Sequence, residues 1–173
     1  MKVTTDYQRQ RRVKTPAADA STCACRCREI AEHLLVHGVW LINLDQHQRS
    51  ILHLAVTRQA VNCTRELLQC TKASTTQWIL RKDKHGVTPL HLAARLDCTK
   101  ILRLFLNELS SAGCDIFAEV RDKSARSPLH YAAAAGALGA CELLIAGDWC
   151  PLDQRDNYAQ TPLMYAVGCG SHG

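Results

Sequence analysis

Apolar residues recur along this chain as pairs of short helical stripes, and each pair opens on the same polar signature. Leu52-His-Leu-Ala55, Leu90-His-Leu-Ala93 and Leu129-His-Tyr-Ala132 carry it three times, and Leu163-Met-Tyr-Ala166 repeats it with Met in place of His. The intervals are 38, 39 and 34 residues. Drift of that size reads as loops of unequal length set into one repeated unit. A hydroxyl residue stands ahead of each motif (Ser50, Thr88, Ser127, Thr161), and an Asp lies five residues before it (Asp45, Asp83, Asp122, Asp156).

Each hydroxyl is placed to cap the free N–H groups of a first helical turn, and Pro89, Pro128 and Pro162 follow where a missing N–H costs nothing. Ser50-Ile51 keeps the cap without the proline. Small residues come next, Ala93-Ala94 and Ala132 to Ala135, and let one helix lie close to its neighbours. Leu67-Leu68, Ile101-Leu102 with Leu104-Phe-Leu106, and Leu143-Leu-Ile145 have the spacing of one face of a second helix. Gly136, and Gln59 and Asp97 at the equivalent places, separate the two helices. Every unit is therefore expected to run helix, turn, helix, then a loop whose tip carries the next Asp.

Asp83-Lys-His-Gly-Val-Thr-Pro-Leu-His-Leu-Ala-Ala94 resembles the ankyrin-repeat pattern almost position for position, and the resemblance extends over about Glu29 to Gly170. It departs at Gln48, Ala125 and Ala159, which replace the turn glycine kept at Gly86, and at Met164. The resemblance implies an all-α ankyrin-repeat solenoid of helix-turn-helix units with hairpin-like loops. The expected division is a basic, disordered tail over 1–22 and a repeat domain over 23–173. The domain comprises a partial unit 23–44, units at about 45–82, 83–121 and 122–155, and a truncated unit 156–173. Two longer loops, Thr71 to Arg81 with Trp78-Ile-Leu80 and Asn107 to Glu119 with Ile116-Phe117, carry large apolar residues and are expected to fold back on the stack. Leu163, Tyr165 and Val167 are expected to stay partly uncovered, because a row of repeats needs a polar cap.

Composition narrows the function classes. The basic start of the chain has no apolar run of signal-peptide type, and no stretch of eighteen apolar residues occurs anywhere, so an intracellular protein, cytoplasmic and also nuclear, is expected. The ten cysteines fall largely within expected helices and read as free thiols that pack as small hydrophobes. The net charge of +5 is concentrated in Arg9, Arg11, Arg12 and Lys14, beside Arg26 and Arg28. Such a run reads as a solvated tail, a nuclear-entry signal or a contact for an acidic partner.

Chemistry is sparse. Cys23-Ala-Cys-Arg-Cys27 with His33 and His37 has metal-ligand residue types but the wrong spacing for a structural zinc site, so no metal or cofactor is expected; palmitoylation of these cysteines is the other reading. Gly168-Cys-Gly-Ser-His-Gly173 has the dinucleotide-binding spacing without a strand before it or a helix after it. His53, His91 and His130 lie near hydroxyls, yet a catalytic base is needed once and these recur in every unit. In ankyrin-like units this imidazole bridges loops, and no enzyme is expected.

The resemblance implies protein binding through loop tips and the concave face. The family pattern places those positions on Gln46, His47, Arg49, Lys84, His85, Val87, Arg95, Leu96, Lys123, Ser124, Arg126, Ala134, Ala135, Asn157, Tyr158 and Gln160. Arg58 adds to a basic groove whose partner is expected to be another protein carrying acidic segments, with Tyr158, Leu96 and Val87 as apolar anchors. Nucleic acid fits less well, since aromatics for base stacking are not interleaved with the cations. A regulatory ankyrin segment of a larger enzyme or channel, and an inhibitor-of-NF-κB-like protein, are the alternative expectations.

Overall fold

A computed structural model describes residues 44–70, 75–111 and 120–170. The expectations for the tail, the partial unit 23–44, the Cys23–Cys27 cluster, Ile116 and Phe117 lie outside the described residues. Eight helices and no strand occur among the residues described: α1 (Ile51–Thr57), α2 (Val61–Cys70), α3 (Thr75–Ile79), α4 (Pro89–Arg95), α5 (Thr99–Ser111), α6 (Pro128–Ala135), α7 (Leu138–Ala146) and α8 (Pro162–Gly170).

The first helices α1, α4, α6 and α8 form one layer and the second helices α2, α5 and α7 another. Each second helix leans on its own first helix and on the second helix beside it. The shared core is a strip rather than a ball: Leu52, Val56, Leu90, Ala93, Ile101, Leu102, Phe105, Leu129, Ala132, Ala140 and Leu144 are all buried along it. In such an arrangement each pair of helices depends on its neighbours for burial.

The helix starts expected from Ser50, Thr88 and Ser127 are present as capping boxes, with His53, His91 and His130 in the third helical position where Glu or Gln usually sits. The imidazole Nδ1 accepts the N–H of the capping residue at 3.1–3.2 Å and lies 2.8–2.9 Å from its hydroxyl. Between the helices of each pair the chain takes the left-handed region at Gln59 (φ 53°), Asp97 (φ 50°) and Gly136 (φ 66°). Asp97 then does a second job. The capping position of α7 is Ala137, which has no polar side chain, and Asp97 Oδ1 reaches across to accept the Ala140 N–H at 2.7 Å. A Cβ at Gly139 would stand 3.0 Å from this carboxylate and 2.8 Å from the Thr99 methyl, so a larger residue there would have to displace one of these side chains.

The described part of the first long loop, residues 75–81, folds back as expected. Its helix α3 buries Ile79 completely and packs Trp78 against the core. The second begins later than the pattern predicts, because α5 continues to Ser111. The helix α8 reaches Gly170, so Gly168 and Gly170, part of the dinucleotide-like spacing, are helical. Cys98, Cys141 and Cys150 are free thiols; burial raises Cys98 and Cys141 and pushes Cys150 up to about 11, which makes these three packing groups rather than nucleophiles.

Candidate docking groove

The loop tips are built by the repeated aspartates. Asp45, Asp83, Asp122 and Asp156 each accept two backbone N–H groups, two and four residues on, at 2.8–2.9 Å. This closes a tight turn whose fourth residue has positive φ: Gln48 (59°), Gly86 (80°), Ala125 (61°) and Ala159 (59°). The turns are then joined in a row. Lys84 N–H donates to His47 O, Lys123 N–H to His85 O, and Asn157 N–H to Ser124 O, at 2.9–3.1 Å. A Cβ at Gly86 would meet the Lys123 nitrogen at 2.7 Å, so the close approach of two tips explains why glycine is kept there.

Behind the tips the imidazoles tie one unit to the next. Nε2 of His53, His91 and His130 donates to the carbonyls of Val87, Arg126 and Gln160 at 3.0, 3.0 and 3.2 Å. A carbonyl can only accept, so these rings carry their proton on Nε2 and leave Nδ1 free for the cap. Burial lowers all three from the ordinary histidine value, His91 to about 4, although the carbonyl bond opposes the shift. The bridging role that the family resemblance implies is what the geometry shows.

The cations of the groove fall into two kinds. Arg49 is held on Asp45 (Nη2–Oδ2 2.7 Å), and Arg126 on Asp122 (2.8 Å). Arg126 also lies over the Tyr131 ring, whose hydroxyl donates to Asp122 Oδ2 at 2.8 Å. These carboxylates are acidic for identifiable reasons. The Arg49 N–H is the largest influence holding Asp45 down at about 2. Burial would raise Asp122, and the Arg126 N–H and guanidinium together with Tyr131 bring it below the usual range. Asp83 has Val87 where the Asp45 and Asp122 turns have Arg, so among the described residues no guanidinium four residues on answers it. Arg95, in the last turn of α4, has no ion-pair partner among the described residues.

Two adjoining depressions lie between the loop tips and the first helices α4, α6 and α8. One of about 410 Å³ is lined by Arg49, Asp83, His85, Arg95, Lys123 and Arg126, with Leu92 and Tyr131 among its walls. The other, of about 200 Å³, is lined by Ala134 and Ala135, Tyr131 and Tyr165, and Arg95 and Arg126. Arg95, Arg126 and Tyr131 belong to both.

The expected site residues are distributed as follows. Arg49, His85, Arg95, Lys123, Ser124 and Arg126 line the larger depression. His47 and Lys84 meet at the rim, with Lys84 Nζ 2.6 Å from His47 Nδ1. Asn157 Nδ2 donates to the Lys123 carbonyl, and Tyr158 stands exposed at the last tip. Gln46 is exposed beside His47, while Gln160 spends its backbone on Asp156 and His130. Two of these expectations need correction, Val87 and Leu96. Val87 is buried, touching the depression only as part of its wall, because its N–H and carbonyl are fixed by Asp83 and His53. Leu96 is half-buried against the core, not a free apolar anchor. Arg58, at the end of α1, lines neither depression. The sequence reading missed Tyr131 and Tyr165, although both stand nine residues after the turn Asp they bond, Asp122 and Asp156. That common spacing was the available signal.

Among the described residues no group of three His, Cys, Asp or Glu is placed to hold a metal ion, and no helix is long and apolar enough to cross a membrane.

Comparison with known proteins gives the same picture from outside. A family model described as "Ankyrin repeats (3 copies)" matches residues 20–119 and 106–173. The chain is 31% identical over 112 residues to the mouse B-cell lymphoma 3 protein homolog, 65% of this chain and 24% of that protein. It is 33% identical over 99 residues to human B-cell lymphoma 3 protein, covering 57% and 20% of the two chains. Human transient receptor potential cation channel subfamily A member 1 is 28% identical over 112 residues, 60% of this chain and 10% of the channel subunit. The chain thus spans about a quarter or less of the length of these relatives.

Proposed function

Because this chain belongs to the ankyrin-repeat family, we propose that it is a protein-interaction scaffold or adaptor that holds an acidic segment of its partner in the concave groove. The observation that carries this reading is Arg95. It is exposed, shared by both depressions and without an ion pair among the described residues, while Arg49 and Arg126 on either side are fixed by their own aspartates. An unpaired guanidinium between two locked ones gives a bidentate site for a carboxylate without costing the fold anything. Lys123 extends the positive strip and Tyr131 and Tyr165 supply walls against which the carbon stem of a glutamate packs. Gln46, His47, Lys84, Asn157 and Tyr158 form the rim that selects among acidic partners.

A second reading is favoured by the relatives, each several times longer than this chain: the same stack as a regulatory segment of a larger enzyme or channel, using the same groove. An inhibitor-of-NF-κB-like role, masking a basic segment of a transcription factor, is opposed by the cations that line both depressions. We place the protein inside the cell, in cytoplasm and nucleus, where its thiols stay reduced.

The test uses the whole chain, immobilised and offered a random peptide display library. Enriched sequences should share Asp or Glu, and Arg95→Glu with Lys123→Glu should weaken them at least ~tenfold, the usual effect of losing a desolvated charge pair. Enrichment that survives both reversals unchanged would overturn the acidic-partner reading.

A further inference from the structure

The four loop-tip aspartates are alike in one carboxylate oxygen and differ in the other. Oδ1 always accepts the two backbone N–H groups of its own turn. Oδ2 of three of them is bonded by a side chain of the same unit. Asp45 Oδ2 accepts from Arg49, Asp122 Oδ2 from Arg126 and the Tyr131 hydroxyl, and Asp156 Oδ2 from the Tyr165 hydroxyl, all at 2.7–2.9 Å. Two positions supply these donors, the residue four after the aspartate and the residue nine after it. Behind Asp83 those positions hold Val87 and Leu92, whose side chains have nothing to donate. No hydrogen bond or ion pair reaches Asp83 Oδ2 among the described residues. Asp83 and Leu92 both line the depression of about 410 Å³, so the undonated carboxylate and the short side chain in the donor's place border the same space.

We infer that this depression receives a tyrosine of the partner, whose hydroxyl donates to Asp83 Oδ2 as Tyr131 and Tyr165 donate to Asp122 and Asp156. The inference rests on the acidic-segment reading and adds a second residue to it: one segment brings a carboxylate to Arg95 and a tyrosine to Asp83. A partner lying over the groove strips water from Asp83, and a carboxylate oxygen covered without a donor would cost binding. The segment must therefore bring a donor. Arginine is the other donor this fold uses, on Asp45, but Arg49, Arg95, Lys123 and Arg126 already line the depression and repel a further cation. A tyrosine hydroxyl donates without adding charge. Its ring finds Leu92, Val87 and Tyr131 among the walls, an apolar setting with one polar end.

The experiment offers a random displayed peptide library to the whole chain and reads acid and tyrosine enrichment separately. Enriched peptides should carry tyrosine at a constant offset from Asp or Glu. Resynthesised with Phe for that Tyr, they should bind at least ~tenfold more weakly, the effect of losing a hydrogen bond to a charged group. Phosphorylation of that tyrosine should also weaken them, because the donor is lost and a dianion meets Asp83. Leu92→Tyr gives Asp83 the internal donor that the later turns have, and should erase the preference for Tyr over Phe while the acid preference stays. Asp83→Asn keeps an acceptor for the two turn N–H groups and should narrow the same preference; circular dichroism checks that both variants stay helical. Acid enrichment without tyrosine, or a Tyr-over-Phe preference indifferent to Asp83→Asn, would overturn this inference and leave the acidic-segment reading standing. Tighter binding of the phosphorylated peptides would overturn it too, assigning the depression to a phosphate held by Arg95 and Lys123. Failure to enrich any peptide would overturn both.

Discussion

Ala125 and Ala159 occupy the fourth position of their turns at φ near 60°, where Gly86 sits at 80° in the equivalent turn. An L-residue in that region costs about 1–2 kcal/mol, partly offset by the greater freedom that glycine would lose on folding. Replacing Ala125 by Gly should therefore stabilise the chain by up to about 1 kcal/mol, read as a higher urea midpoint. The converse change, Gly86→Ala, should destabilise it by more than that, because the new methyl meets the Lys123 backbone as well. The same scale shows what sequence could tell. His53, His91 and His130 were legible as architectural because recurrence distinguishes a bridge from a catalyst. Val87 was misread because the family pattern marks a tip position as exposed without registering that its neighbour's histidine comes to bond its carbonyl. Tyr131 was overlooked because Leu54 and Leu92 fill its place in earlier units, and its value depends on an arginine and an aspartate that only the folded turn brings together.

At the level of elements, the start of α7 is the instructive case. Its own capping residue is an alanine, and the missing acceptor comes from Asp97, 43 residues before the N–H it satisfies. Asp97→Ala should cost about 1–2 kcal/mol, the usual penalty for losing a helix cap, and Asp97→Asn should recover most of it by keeping an acceptor oxygen. Equal loss in both variants would mean that the carboxylate charge, rather than an acceptor oxygen at the helix start, is what matters, since Asn keeps both the oxygen and the left-handed turn. The helices themselves were legible, since hydroxyl, proline and apolar spacing are local signals. A cap supplied by the preceding unit is not local, and neither sequence spacing nor propensity reveals it.

For the whole molecule, the three bridging histidines act together on stability. Each is neutral when folded and has its pKa depressed, His91 to about 4. Their contribution is fully present above the unfolded value near 6.5 and is lost as pH falls toward the folded one. For His91 alone this amounts to roughly 3 kcal/mol. Stability measured in urea should therefore fall steadily from pH 7 to pH 4, and Asp45, Asp122 and Asp156, whose pKa values are also lowered, should keep their contribution until more acid conditions. A flat profile between pH 7 and 4 would mean the imidazoles are not held neutral. The all-helical row was readable from four motifs in register. The exposure of Leu163 and Val167 was readable from the position of the last motif, whereas the exposure of Ile145 on α7 had no local signal.

His47 to Lys84, His85 to Lys123 and Ser124 to Asn157 are linked main chain to main chain, so the side chains that stand on this rail contribute little to holding it. Selection is then at liberty to change what the rim reads, one residue at a time, without renegotiating the scaffold beneath. A library randomised at positions 84, 85 and 123 should fold almost as often as the parent, and new specificities should emerge from it without compensating changes elsewhere.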